Sequence, residues 1–157
     1  MLYCDGVLHA WFAVAWTAAL HARFRRQPLA SANMCWLEAL TLLLAARTWL
    51  VSTSSTCRIK GDNIAALRLA MGLSSASSAL NAIGAELALD CSLELYELHL
   101  FEHITGLSNI TADALSRLSA KPVPKPMPIC CVSEARVTPP DFDTNSFWLV
   151  NARRVKK

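Results

Sequence analysis

The spacing of apolar positions changes several times along this chain, and each change marks an element. Residues 1 to 4 and 7 to 14 are rich in β-prone side chains and flank Asp5-Gly6. Two such runs around Asp-Gly predict a hairpin, because a type I′ turn needs positive φ at both central residues. From Met34 to Trp49, Leu37, Leu40 and Leu44 recur at three- and four-residue intervals, which predicts an amphipathic helix ended by the polar stretch Ser52 to Thr56. Thr56 to Gly61 reads as a short strand with Ile59 inward. Asp62 follows at its carboxyl end, and a helix over 63–72 is stopped by Gly72.

Ala79 to Leu95 predicts a further helix with Leu80, Ile83, Leu87, Cys91 and Leu95 on one face. Glu86, Asp90 and Glu94 recur at four on the opposite face, a stripe that reads as solvated surface. Glu97 to Phe101 alternates and predicts the last strand. A loop bearing Gly106 follows, then a helix beginning near Asn109, on which Asn109 and Asp113 share a face.

The chain has 157 residues, enough for one domain with its own core and too few for two. Residues 1–119 carry the patterned elements. After Ser119 the composition shifts to a polyproline-like linker, Lys121 to Pro128, and a tail with Phe147-Trp148-Leu149-Val150 and a basic end. That tail has too little apolar content for a separate core; it is expected to be mostly disordered, its aromatic cluster available to dock on the domain. A net charge of +3 excludes neither a nucleic-acid nor a small-molecule partner. The cluster Arg23, Arg25 and Arg26 is read first as a solvated linker or helix face and second as a phosphate contact.

The six cysteines are scattered without a C-x-x-C pair, which favours free thiols in a reducing compartment. The apolar runs are too short or too interrupted by charge to cross a bilayer, and no basic region precedes the first of them as a signal peptide requires. The expectation is an intracellular protein, in cytoplasm or nucleus, with no membrane partner.

Three places carry candidate chemistry. His103-x2-Gly106-x2-Asn109-x3-Asp113, followed by Ala-Leu-Ser-Arg, joins a strand end to a helix; Asp62 ends a strand; Glu38 sits in a helix with strongly apolar neighbours. Taken alone, Glu38 reads as an exposed helix residue, Asp62 as a helix cap and His103 as a strand-end histidine bonded to backbone. In this order, helix Glu, strand-end Asp, loop His and helix Asp, the set resembles the ribonuclease H domain of retroelement reverse transcriptases over residues 1–119. The resemblance implies an α/β fold, a mixed sheet flanked by helices. It also implies Mg2+ ligands at Glu38, Asp62 and Asp113, a mobile His103 that assists proton transfer or product release, and a supporting Asn109. The substrate would be the RNA strand of an RNA:DNA hybrid, the cofactor two Mg2+ ions about 4 Å apart, and a polymerase domain could share a longer polyprotein.

The family's first strand, with its bridging Asp, would precede the hairpin. His9-Ala-Trp-Phe-Ala with Trp16 resembles the family's third strand, so the resemblance implies an N-terminally truncated domain whose first strand is missing and whose activity is in question. Asp5 is the alternative first carboxylate, although placing it there leaves only Val7 to Asn33 for two further strands. The competing readings are a non-catalytic remnant that at most binds nucleic acid and an unrelated helical protein. They differ in whether Glu38, Asp62 and Asp113 approach a common point within about 8 Å.

Overall fold

The computed structural model describes residues 2–4, 7–24, 34–51, 58–116 and 136–150. The hairpin expected around Asp5-Gly6 is present as antiparallel strands β1 (Leu2–Cys4) and β2 (Val7–Ala10), with Cys4 opposite Val7. The turn itself lies outside the described residues. Thr17 caps the short helix α1 (Ala18–Arg23) by accepting the Leu20 N–H at 3.1 Å. Helix α2 (Met34–Ala45) follows the leucine spacing and continues through a π turn, Ala46–Leu50.

Strand β3 (Arg58–Gly61) leads into α3 (Ile64–Gly72) and α4 (Ser78–Ser92), and the chain returns as β4 (Leu100–His103). β3 and β4 pair in parallel, Gly61 opposite His103, as a two-helix crossover permits. A 3-10 turn, Gly106–Ser108, and helix α5 (Ile110–Ser116) complete this part. The chain is thus a mixed helix-and-strand protein, and none of its described helices is long and apolar enough to cross a membrane.

Several expectations shift. Among the described residues the strands form two separate ribbons, one antiparallel and one parallel, where a single mixed sheet was expected. Past β2, Trp11 pairs with Arg136, and its carbonyl accepts the Val137 N–H at 2.8 Å, so the C-terminal segment takes up the backbone there. The last strand begins and ends later than the alternation suggested, which makes His103 its final residue instead of a loop residue. Gly72 does not turn the chain out of α3. The left-handed residue is Leu73, φ 54°, whose N–H reaches the Leu69 carbonyl.

The core lies where α2 packs on α3 and α4, with Trp36, Leu40, Leu43, Leu44, Ile83 and Leu87 almost wholly enclosed. The larger departure is at residues 136–150, which the expected disorder of the tail does not fit. Phe142, Phe147 and Trp148 belong to the same core cluster, Trp148 being 2% exposed. Removing a buried aromatic of this size costs about 3–5 kcal/mol, so the segment is part of the folded domain.

The acidic stripe of α4 explains the docking. Glu86 and Asp90 are 1% and 0% exposed, not solvated. Arg47, from the π turn, donates to Asp90 through Nε at 2.7 Å and Nη2 at 2.8 Å, and to Glu86 at 2.9 Å. Glu86 also accepts the backbone N–H groups of Leu149 and Val150, both at 2.9 Å, and Tyr96 donates its hydroxyl to Asp90 at 2.8 Å. Burial and the Asp90 charge hold the Tyr96 hydroxyl protonated far above its ordinary range. Buried charges persist only when paired and hydrogen-bonded, and this network meets that condition. Glu94, one turn on, is exposed.

Candidate functional site

Parallel pairing brings two chain ends to one edge. β3 delivers Asp62 just past Gly61, and β4 delivers His103 opposite Gly61. The ladder runs one bond further, Ile104 N–H to the Gly61 carbonyl at 3.0 Å. The His103 ring, exposed, places Nε2 3.3 Å from the Asp62 carbonyl oxygen. Beyond it the 3-10 turn curls over Asp62, so that a side-chain carbon at Gly106 would lie 3.5 Å from Asp62 Oδ2. That is an ordinary van der Waals contact, so the turn lies against the Asp62 carboxylate.

Glu38 comes from α2, which packs along α3. Half-buried, its carboxyl is raised above the ordinary value of 4.5, first by burial and then by the Asp62 charge, while a hydrogen bond from Asn63 works the other way. Two carboxylates that feel each other from separate elements are the feature of this site most suited to a cation. Such a site wants several hard oxygen donors.

Asn63 organises the pair. It was not singled out in the sequence, where Asp62 is an equally good cap. Its Oδ1 accepts from the Ala65 and Ala66 N–H groups at 3.0 and 3.1 Å, so Asn63 and not Asp62 caps α3. Its Nδ2 donates to Cys35 Sγ at 3.5 Å, tying the first turn of α2 to the start of α3. The Asp62 side chain is thereby left out of the cap. The only sequence signal was the Asp-Asn doublet itself, which does not say which residue caps.

Asp113 lies in the first turn of α5, exposed, its N–H bonded to the Asn109 carbonyl at 2.9 Å. That bond is an ordinary backbone bond of the helix and involves no side-chain atom of Asn109. Among the described residues, no group of three or more His, Cys, Asp or Glu side chains is spaced to hold a metal. The Asp62 charge acts on Glu38 across the α2–α3 junction; Asp113 stands on the element that follows and does not complete a triad among the described residues.

Next to this edge is an open apolar depression of about 210 Å³ lined by Ile64, Leu67, Arg68, Met71, Phe101 and His103. On the sheet, Arg58 and Lys60 are exposed and both reach Glu102, at 3.7 and 3.2 Å. Arg23, the described member of the basic cluster, is occupied elsewhere: it donates to Asn145 at 3.0 Å and lies over the Trp148 ring. Arg25 and Arg26 lie outside the described residues. Cys35 and Cys91 carry free thiols. No protein-family model, curated protein or solved structure matches this chain.

Proposed function

We propose that this chain is the ribonuclease H-like domain of a retroelement reverse transcriptase, hydrolysing the RNA strand of RNA:DNA hybrids with two Mg2+ ions. The observation that carries the reading is the parallel pairing of β3 with β4, which brings Asp62, His103 and the Gly106 turn to one edge with Glu38 beside them. The order of Glu, Asp, His and Asp on helix, strand end, strand end and helix supports the same family.

Glu38 and Asp62 suit a divalent cation: they are oxygen donors whose mutual repulsion a positive ion would relieve. Bound Mg2+ would supply Lewis-acid stabilisation and an activated water for in-line displacement. The chain's own residues do the rest. Asp113 on α5 would have to approach the pair to serve as the third carboxylate, a hydrogen bond from Asn63 lowers the Glu38 carboxyl against the effect of burial, and exposed His103 offers a ring nitrogen to carry a proton at the leaving oxygen. Arg58, Lys60 and Arg68 line the neighbouring surface, where cations meet a phosphate backbone and recognition rests on backbone and 2′-hydroxyl contacts. The carboxylate that the family carries on its first strand has no counterpart among the described residues, and Asp5 lies outside them. A polymerase domain of the same polyprotein is the partner this reading implies.

The test is Mg2+-dependent cleavage of a labelled RNA:DNA hybrid by the purified chain beside Asp62→Asn and Asp113→Asn. Cleavage lost in both folded variants is the expected result; cutting that survives Asp62→Asn refutes it. A second reading, a remnant that binds nucleic acid without cutting, keeps the family order of residues while requiring no complete carboxylate set, and none is found among the described residues. It predicts salt-dependent hybrid binding that is equal in all three proteins, with no cleavage in any.

A further inference from the structure

We infer that residues 136–150 act as a strap that sets the pose of α2, and with it the approach of Glu38 to Asp62. The strap reaches α2 at both ends. At the far end Arg47 donates to the Phe147 carbonyl and lies over the Phe147 ring, 4.6 Å from its centroid, while Glu86 grips the Leu149 and Val150 N–H groups and Arg47 together. At the near end the contact runs through rings: Trp148 to Phe24 at 5.3 Å, and Phe24 to Trp36 at 4.7 Å. Trp36 adjoins Cys35, whose sulfur accepts from Asn63, the residue that caps α3 and directly follows Asp62, so this bond ties the turn of α2 that carries Glu38 to the head of α3.

α1 is caught between strap and helix. Its cap residue Thr17 donates to Asp143 at 2.8 Å, and Arg23 to Asn145 at 3.0 Å. The π turn at the far attachment is the kind of helix irregularity that persists when its surroundings hold it; Arg47, inside it, makes four hydrogen bonds. With both ends of α2 fixed by one segment, its release frees α2 to shift against α3, and the carboxylate pair spans that junction. Arg47, Glu86 and Trp148 are in this sense positioning residues. The consequence for Mg2+ rests on the functional reading above, whereas the geometric coupling does not.

The experiment is amide hydrogen exchange on the full chain and on Glu86→Gln and Leu149→Pro, with a Mg2+ titration of each. Leu149→Pro deletes one N–H that Glu86 accepts and leaves the Arg47 network intact, so it decides the matter if Glu86→Gln does not fold. In both variants exchange at residues 38–42 and at Ala65 and Ala66 should accelerate about tenfold or more, as local opening of a loosened unit does. The Ile104 amide, bonded to the Gly61 carbonyl beyond the β3–β4 ladder, should keep its rate, and Mg2+ binding should weaken about tenfold. Variants in which Val150 loses protection while 38–42, Ala65 and Ala66 keep theirs overturn the strap. A full chain that binds no Mg2+ overturns the functional reading instead, and the exchange rates still decide the coupling.

Discussion

Replacing Arg47 with Met tests whether the acidic stripe of α4 is interior. Met keeps the aliphatic stem and removes the guanidinium, which donates three hydrogen bonds of 2.7–2.9 Å to Glu86 and Asp90 and one to the Phe147 carbonyl. Both carboxylates would stay enclosed, Asp90 keeping the Tyr96 hydroxyl and Glu86 two backbone N–H groups. Removing one partner of a buried pair costs about 3–5 kcal/mol, a large share of a stability of about 5–15 kcal/mol. The exposed pair Lys60–Glu102, at 3.2 Å, provides the internal control, and Lys60→Met should cost about 0–1 kcal/mol. The assay is urea unfolding followed by tryptophan fluorescence, with the loss read from the midpoint at constant slope. Converting Arg47, Glu86 and Asp90 together to Met, Leu and Leu should recover only part of the loss, since it removes the uncompensated charges but leaves the Tyr96 hydroxyl and the Leu149 and Val150 N–H groups without their acceptors. A penalty for Arg47→Met below about 1 kcal/mol, equal to that of Lys60→Met, would show that the stripe is solvated after all.

Glu38→Gln should stabilise the chain at neutral pH and leave it unchanged below pH 4. The raised Glu38 carboxyl means the folded state binds its proton more tightly than the unfolded state, so wild-type stability falls as pH rises from about 4.5 through the raised value, and the variant lacks that fall. Urea midpoints between pH 4 and 7 check it, and parallel curves for the two proteins would contradict it. Gly84→Ala should destabilise by about 1–3 kcal/mol, because the added carbon would stand 2.7 Å from the Leu73 carbonyl oxygen and 2.9 Å from Leu69 Cδ1. The Leu73 contact is backbone, so α4 must move away from the end of α3; thermal unfolding reads the loss, and an unchanged midpoint would mean the two helices are not held that closely.

Much of the element order was legible from spacing alone. The hairpin strands, α2, β3, α3 and α4 arise from local periodicity and turn chemistry, which act within a few residues and are written in neighbouring positions. Glu38, Asp62, His103 and Asp113 were legible as candidates for a related reason: strand ends and helix turns are local features. Whether they meet is not local. The β3–β4 register brings Asp62 and His103 together and α2 packing adds Glu38, while α5 keeps Asp113 outside any described triad.

The acidic stripe shows the limit of periodicity most clearly. Glu86 and Asp90 opposite an apolar face have the spacing of a wet surface, and a helix considered alone can have no other reading. Their burial is decided by a guanidinium 43 residues before Asp90 and by two backbone N–H groups more than 60 residues after Glu86. The hint was Arg47 itself, a cation inside an apolar helix, because a charge that cannot reach water needs partners. Sequence spacing determined which segments become helices and strands and which residues carry chemistry. Tertiary structure alone decided which charges are interior, that Asn63 caps α3, and that the aromatic tail belongs to the core, because those outcomes depend on free energies of burial and pairing between segments far apart in the chain.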